Sequence, residues 1–240
     1  MKLPSLADLV LFENDDYLIL NKPPFLATLD ERAGGAPNML RLVRQEFPDA
    51  QLAHRLDKET SGALAVARHP DAYRHLSMQF EAHTVQKTYH AVANGVHHFR
   101  DELVERSIEV SPRGGKARLA YNGKESRTIL NTLETFRRHT LVACQPITGR
   151  MHQIRLHLLY KEAPIVGDDL YGAEPLYLSS LKRHFKLAQG TAEQPVIQRF
   201  ALHAHELAFR GMADEEIRAE APYPKDFAVL LKLLRQYAAV

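Results

Sequence analysis

The sequence predicts an α+β protein with a mixed, mostly antiparallel β-sheet core and flanking helices. Apolar segments of strand length dominate the middle of the chain, and several neighbouring ones are separated by short turn signals typical of hairpins. Helical segments interrupt them without the regular strand–helix alternation of a parallel fold. A chain of 240 residues can bury a full hydrophobic core. We therefore expect a single domain over residues 1–240. Two closely packed lobes within it are also compatible with the length.

The N-terminal half alternates between strand and helix signals. Prolines end the second predicted strand because they cannot donate to a strand ladder, and Pro37 suits the first turn of a helix. An Asn-Gly pair marks a turn after the last strand of this half. The predicted elements are two short strands within 9–20, a helix at 37–47, a buried strand at 62–68, a helix at 70–83 and a strand at 87–95.

The C-terminal half is richer in predicted hairpins. Residues 128–146 alternate on both sides of a polar turn, and a Thr-Gly pair precedes the next helical segment. The predicted elements are a strand, loop and strand within 101–127, a hairpin at 128–146, a helix from about 150 to 160, a strand and turn at 164–172, a short helix at 175–185, a strand at 202–209 and an amphipathic helix at 224–237.

Composition excludes several classes of protein. No apolar run is long enough for a membrane span, and the single Cys144 excludes an internal disulfide framework, so we expect a cytoplasmic protein. Nucleotide-binding glycine loops are absent, and His203 and His205 share a strand face without a third ligand nearby, so we expect no cofactor and no metal. The net charge of +2 is mild, but basic residues cluster at 113–127.

The first candidate for chemistry is the segment HRLDKETSG at residues 54–62, which directly precedes the buried strand. Asp57 lies there in a polar loop beside Arg55. A carboxylate at such a position can be partly removed from water and still held ionised by a cation, as a nucleophile or general base requires. An aspartate before a Lys-Glu-Thr-Ser-Gly turn also commonly caps a loop, and both interpretations remain open at this point.

Arg155 is the second candidate, in the helix predicted within PITGRMHQIRLHLLY. At about 100° per residue this helix has one apolar face. That face contains Met151, Ile154 and Leu158, and the residues predicted to point away from it include Gln153, His157 and Tyr160. Arg155 lies at the edge of the apolar face, where a poorly hydrated guanidinium favours a carboxylate, and bidentate pairing with Asp57 would satisfy both groups. A structural arginine bonded to backbone carbonyls explains the pattern equally well.

Tyr89 is the third candidate, in the predicted strand KTYHAVANG. On a strand it shares a face with Lys87. A tyrosine presented to a cleft offers a flat ring for stacking on a nucleobase and a hydroxyl for proton transfer. Half-buried core packing is the alternative role of a strand tyrosine.

Six motifs, in order along most of the chain, resemble those of the RluA-type pseudouridine synthases. They are NKPP at 21–24, HRLDKETSG at 54–62, KTYHAVANG at 87–95, PITGRMHQIRLHL at 146–158, PIVGDDLYG at 164–172 and LHAHEL at 202–207. The resemblance implies the pseudouridine-synthase fold with a central cleft, and an enzyme that isomerises uridine in RNA without a cofactor. Two departures are the lack of room for an S4 RNA-binding module before NKPP and a segment at 176–198 that matches no motif.

The resemblance also implies roles for individual residues. Asp57 matches the catalytic aspartate, Tyr89 the residue that stacks on the target base, and Arg155 the arginine that pairs with the catalytic aspartate. Arg55 matches a residue that contacts RNA around the extruded base, and Leu202 one that lines the pocket. We expect further RNA contacts from the polar residues of the motifs and from the basic segment, namely His54, Thr60, Arg150, Arg113, Lys116 and Arg118.

Two other functions remain open from the sequence. The chain could be an RNA-binding protein of the same fold without catalytic activity. It could also be a glycoside hydrolase that pairs Asp57 with Asp168 or Asp169, although these two acids also suit a turn before Tyr171 and Gly172. For a pseudouridine synthase, the expected partner is large-subunit ribosomal RNA or transfer RNA, and we expect a monomer.

Overall fold

The computed structural model describes residues 4–30, 36–111, 115–187 and 190–240. The strands and helices, in chain order, are β1 (Val10–Glu13), β2 (Tyr17–Lys22), α1 (Met39–Arg44), β3 (Ser61–Ala67), α2 (Pro70–Glu81), β4 (Gln86–Asn94), β5 (Glu102–Glu105), β6 (Ile108–Val110), β7 (Ala117–Leu119), β8 (Arg127–Thr135), β9 (His139–Pro146), α3 (Gln153–Tyr160), α4 (Leu178–Leu181), β10 (Leu202–Arg210), β11 (Glu216–Glu220) and α5 (Lys225–Tyr237). No helix in these ranges is both long and apolar enough to cross a membrane.

The chain divides into two compact units. The first comprises Met1–Tyr89 and His203–Pro224, and the second comprises His90–Leu202 and Lys225–Val240. Strands pair mostly antiparallel in both units, and β3 pairs in parallel with β10, which makes the sheet mixed. The predicted fold class, a mostly antiparallel α+β protein, is therefore confirmed.

In the first unit, β3 is buried along its whole length. It lies between β2, which is antiparallel to it, and β10, and β11 extends the sheet beyond β10. Successive side chains of a strand point to opposite faces of the sheet. Ala65 joins the apolar cluster that contains Leu76 of α2, whereas Leu64 joins the opposite cluster, which contains Met39 of α1. Two covered faces explain why this strand has no polar side chain from Gly62 to Ala67.

In the second unit, β8 pairs with β9 on one side and with β5 on the other, and β6 with β7 forms a separate small hairpin. Helix α3 is buried around most of its circumference. Gln153 donates to the backbone carbonyl of Arg127, and His157 contacts the hydroxyls of Ser126 and Thr128. The prediction that Gln153 and His157 point away from the core was wrong, because polar groups of β8 and the segment before it satisfy their hydrogen bonds inside the protein.

Several other predictions need correction. The described part of residues 101–127 contains three short strands, β5, β6 and β7, instead of two. Residues 164–172 form a single β-bridge at Ile165 and a 3₁₀ turn at Asp169–Tyr171, with no strand. β11 was missed because its exposed residues are charged and only two apolar residues alternate with them. Helices α1 and α4 are shorter than predicted, and the remaining predicted elements are confirmed to within a few residues.

Gly62, at the start of β3, has a backbone conformation that only glycine fits. Its φ is +114°, and a Cβ there would lie 2.1 Å from the carbonyl oxygen of Ala204 on the parallel neighbour β10.

We expect Gly62→Ala to lower the free energy of unfolding by at least about 3 kcal/mol in denaturant titrations, because backbone strain and overlap with a rigid backbone add. Gly172→Ala is the matched control, since Gly172 also has a positive φ but open space around its Cβ. It should cost only about 1 to 2 kcal/mol. Equal losses would contradict the close approach of β3 and β10.

Candidate active site

The half-buried Asp57 lies in a loop that a buried lysine holds in place. Lys22 ends β2 with its side chain fully buried, and its ammonium donates to three backbone carbonyls: Pro23 at 3.0 Å, Leu26 at 2.8 Å and Lys58 at 3.0 Å. A buried cation is tolerated only when such partners replace its water. Because Lys58 follows Asp57 directly, this ammonium ties the loop of the candidate carboxylate to the end of β2.

A second contact joins the same two loops. The buried Thr28 hydroxyl donates to the Leu56 carbonyl at 2.7 Å and accepts from the Leu56 N–H at 3.2 Å. On the other side of Asp57, the N–H of the buried Thr60 donates to the Asp57 carbonyl at 3.0 Å, which forms a turn into β3. Asp57 is thus held from both sides, as a catalytic group requires.

His54 makes contacts within the first unit that orient the start of the loop. Its Nε2 accepts the N–H of Ala65 at 2.9 Å, and its ring stacks on Phe80 of α2 with the centroids 4.6 Å apart. Burial, and secondarily the positive charge of Lys87, lower the pKa of His54 from 6.5 to about 3. The ring is therefore neutral, consistent with an Nε2 that acts as acceptor. The sequence predicted an RNA contact for His54, and that role remains a prediction.

Tyr89 and Asp57 are electrostatically coupled within the first unit. Tyr89 lies on β4 and packs against the apolar cluster that contains Leu56, the neighbour of Asp57. Burial raises the pKa of the Tyr89 hydroxyl, and the negative charge of Asp57 raises it further. The hydroxyl therefore stays protonated at neutral pH and can donate a hydrogen bond but cannot act as a base. Lys87, two residues earlier, has a pKa lowered by burial to about 8.

Arg155 forms a buried ion pair within the second unit. Its Nε and Nη2 donate to the two carboxylate oxygens of Asp168, each at 2.7 Å, and both side chains are at most 5% exposed. The guanidinium also lies over the rings of Tyr171 and Phe200, with distances of 4.8 and 4.2 Å to the ring centroids. From the sequence, Asp168 was placed in a turn or, in the glycoside hydrolase alternative, paired with Asp57; it does bound a turn, but its carboxylate binds Arg155. The pair of Arg155 with Asp57 remains a prediction, and it would use N–H donors other than these two.

The other predicted RNA contacts differ in exposure. Lys116 and Arg118 are exposed on and beside β7, where Arg118 pairs with Glu109 of β6. Arg150 is partly buried and donates to the Glu125 carbonyl at 3.0 Å. Arg55 is exposed on the Asp57 loop. Arg113 lies outside the described residues.

Leu202 is buried where β10 begins. The buried Arg199 donates to the Leu202 carbonyl at 3.0 Å and pairs with Asp226 of α5. This holds the start of β10 by a charged contact within the second unit. In the part of the chain that the structure describes, no three His, Cys, Asp or Glu side chains converge to form a metal site.

Two residues that hold the candidate site residues, Lys22 and Asp168, were not predicted in these roles from the sequence. A signal existed for each. Lys22 ends an apolar strand and is followed by two prolines, a position where a lysine is expected to be exposed unless it has a special partner. Asp168 and Asp169 directly follow the apolar segment PIVG, a position from which one of the two carboxylates can be buried beside a cation.

Comparison with known proteins identifies the family. The family model described as RNA pseudouridylate synthase matches residues 16–160, a range that includes Asp57, Tyr89 and Arg155. The chain belongs to the RNA pseudouridylate synthase family. It is therefore an RNA pseudouridine synthase, as the motifs predicted, and the glycoside hydrolase interpretation is wrong. Membership of this family also argues against the alternative of an RNA-binding protein of the same fold without catalytic activity.

Individual relatives, matched over nearly the whole chain, agree with this membership. The chain is 36% identical to "Ribosomal large subunit pseudouridine synthase C" of Vibrio vulnificus over 238 residues, which cover 98% of this chain and 71% of that protein. It is 35% identical to "Ribosomal large subunit pseudouridine synthase D" of Xanthomonas campestris, with 96% and 70% covered. The structure of "Human RNA Pseudouridylate Synthase Domain Containing 4" matches with a TM-score of 0.71 at 25% identity, covering 96% of this chain and 94% of that one.

The Arg155–Asp168 pair gives a stability prediction. Asp168→Asn keeps the shape of the side chain but leaves the buried guanidinium without its charged partner, so we expect a loss of about 3 to 5 kcal/mol in unfolding free energy. The matched control is Glu109→Gln, which removes the acid from the exposed pair with Arg118 and should cost less than about 1 kcal/mol. Chemical denaturation at neutral pH measures both. Similar small losses would show that the Arg155 guanidinium does not depend on Asp168.

His54 gives a pH prediction with a definite sign. Between pH 6.5 and about 3 the unfolded chain binds a proton at His54 that the folded chain excludes, because the folded-state pKa is depressed. The stability contributed by neutral His54 is therefore complete above pH 6.5 and is lost as the pH falls towards 3. His54→Gln keeps an acceptor for the Ala65 N–H but cannot titrate. The slope of unfolding free energy against pH in this window should be shallower in His54→Gln than in the wild type; identical slopes would contradict the depressed pKa.

Proposed function

We propose that this enzyme converts a uridine of large-subunit ribosomal RNA to pseudouridine, with Asp57 as the catalytic carboxylate. The substrate class is supported by the names of the Vibrio and Xanthomonas relatives, which match almost the whole chain. The assignment of Asp57 is supported chiefly by the rigid loop that carries it, in which Lys22 and Thr28 bind the residues on either side of Asp57. Tyr89, the other residue that the motifs pair with the target base, packs against the apolar cluster that contains Leu56. Transfer RNA is the second substrate class that the motifs allow.

The reaction leaves the composition of the RNA unchanged. The C1′–N1 bond of the uridine breaks, the uracil rotates in the pocket, and C5 bonds to C1′. C5 loses its proton and N1 gains one, so no cofactor or second substrate is consumed. Asp57 acts on the sugar or the base as a nucleophile, or removes a proton from the ribose during elimination; each of these routes needs its carboxylate ionised.

The target base must leave the RNA stack before Asp57 can reach it. Extrusion costs a few kcal/mol, and less for an unpaired nucleotide. Stacking on the Tyr89 ring offsets part of this cost, by about 1 to 3 kcal/mol per base. Because the Tyr89 hydroxyl stays protonated, it also supplies a hydrogen-bond donor to a base oxygen or to the carboxylate.

Arg155 is proposed as the cation that keeps Asp57 ionised at neutral pH. Its ion pair with Asp168 fixes the direction of the guanidinium plane, and the rings of Tyr171 and Phe200 shield it from water. An oriented guanidinium favours the charged form of a carboxylate within a few ångströms. Asp168 is then a positioning residue, which acts through Arg155.

Ribosomal RNA as substrate agrees with the cytoplasmic location expected from the composition. The expected monomer remains a prediction, as does RNA binding by Lys116 and Arg118. These two cations are exposed on the β6–β7 hairpin, where phosphate contacts would make RNA affinity fall steeply with salt.

The decisive experiment maps pseudouridine in ribosomal and transfer RNA from cells with and without the gene, and then repeats the modification in vitro on an unmodified transcript. Asp57→Asn should lower the rate at the mapped position by at least about 1,000-fold while the melting temperature stays within about 2 °C of the wild type. Asp16→Asn is the control, because Asp16 is a partly buried carboxylate of the same unit that contacts His69. Substantial turnover by Asp57→Asn would refute the assignment of Asp57, and loss of a site in transfer RNA alone would refute the ribosomal substrate.

A further inference from the structure

An exposed phenylalanine occupies a backbone conformation that favours glycine. It lies in the turn that Lys22 joins to the loop of Asp57. Phe25 lies in the turn after β2 with φ +66°, and 45% of the residue is exposed. Pro24 and Phe25 are the two central residues of this turn, and a positive φ at the second of them is the type II arrangement, which selects glycine or asparagine. A bulky side chain in this region is strained. Because 45% of the residue is exposed, burial offsets that strain only in part.

The strain is maintained by the same ammonium that holds the Asp57 loop. Lys22 donates to the carbonyls of Pro23 and Leu26, which are the first and last residues of the turn. Its third bond, to Lys58, places this turn against the segment that carries Asp57. Leu26 is buried in the same apolar cluster as Leu56, so the turn is anchored on both sides of Phe25. The Phe25 ring is therefore presented from a rigid support.

Exposed cations lie on the loop that Lys22 joins to the turn of Phe25. Arg55 and Lys58 are both exposed on the Asp57 loop, on either side of the carboxylate in sequence. A flat aromatic ring beside positively charged side chains is the combination with which proteins hold single-stranded nucleic acid, since the ring stacks on a base and the cations contact phosphates. Strained residues that the surrounding structure over-determines are concentrated at binding and catalytic sites.

We propose that Phe25 stacks on an unpaired nucleobase of the RNA next to the target uridine, and that the three hydrogen bonds of the Lys22 ammonium hold the ring in place for this purpose. The inference rests on the proposed function and extends it: the enzyme contacts the target base through Tyr89 and a neighbouring base through Phe25. Extrusion of a uridine unstacks its neighbours, and the Phe25 ring replaces part of the lost stacking for one of them. The identity of the preferred neighbour then contributes to the choice of site.

The test compares three substitutions at this position. Phe25→Ala and Phe25→Gly remove the ring, whereas Phe25→Tyr keeps it. We expect the first two to raise KM for an in vitro transcript of large-subunit ribosomal RNA by about 5- to 150-fold with a small change in kcat, and Phe25→Tyr to stay within about threefold of the wild type. Phe25→Gly should also match or exceed the melting temperature of the wild type, because it relieves the strained φ. Met78→Ala, which trims an exposed apolar side chain on α2, should change neither quantity.

A merely structural role predicts a different pattern. If Phe25 only supports the loop, Phe25→Gly and Phe25→Ala lower the melting temperature and kcat together, and this result would overturn the proposal. Wild-type KM in both variants would overturn it equally. Once the modified position is mapped, KM is measured with a short RNA that has an abasic nucleotide beside the target. For the wild type, this nucleotide should raise KM by the same factor as Phe25→Ala does on the intact RNA, and for Phe25→Ala it should raise KM no further. If the two changes raise KM independently at both flanking positions, stacking on a neighbour is contradicted.

The inference and the proposed function can fail separately. Equilibrium binding of the unmodified transcript is measured for all variants without regard to turnover. If the wild type binds this RNA but forms no pseudouridine in it, the proposed function fails, while weaker binding by Phe25→Ala and Phe25→Gly than by Phe25→Tyr still supports the contact with RNA. If turnover occurs and all variants bind equally, the function stands and the role of Phe25 is refuted.

Discussion

The ammonium of Lys22 is the interaction on which the candidate site in the first unit depends. A lysine with no exposed surface must exchange all of its water for protein acceptors, and the acceptors here are three carbonyls from two different loops. One of these acceptors is the carbonyl of Lys58, which directly follows Asp57. Loss of the ammonium would free the turn at Phe25 and the segment at Lys58 together.

The ionisable groups of the site are held in different charge states by different means. Burial keeps His54 neutral, and burial together with Asp57 keeps Tyr89 protonated. In contrast, Arg155 and Asp168 form a buried ion pair in which each supplies the bidentate partner of the other. The first unit thus holds a neutral hydrogen-bonding framework beside the loop of Asp57, and the second unit holds a rigid ion pair.

The sequence predicted the main strands and helices because local pattern and core burial agree in them. β3 has no polar side chain from Gly62 to Ala67 since both of its faces are covered, and the prolines after Lys22 fix the end of β2. The partners of polar side chains were not predictable in the same way. Whether Gln153 and His157 face water or the hydroxyls beside them depends on β8, which is distant in sequence, and local periodicity does not contain that information. The same limitation concealed Asp168 as the partner of Arg155 and Lys22 as the support of Asp57.

The parallel pairing of β3 with β10 has a consequence for biosynthesis. Ser61 is aligned with His203, so the first unit combines an N-terminal segment with one that is translated about 140 residues later. Contacts between such distant segments form late, because the intervening chain must first be available and its closure entropy must be overcome. During translation, the loop of Asp57 therefore has no parallel strand beside it until most of the polypeptide has left the ribosome. A nascent chain interrupted before that point would carry Asp57 without the neighbour that fixes the strand behind it.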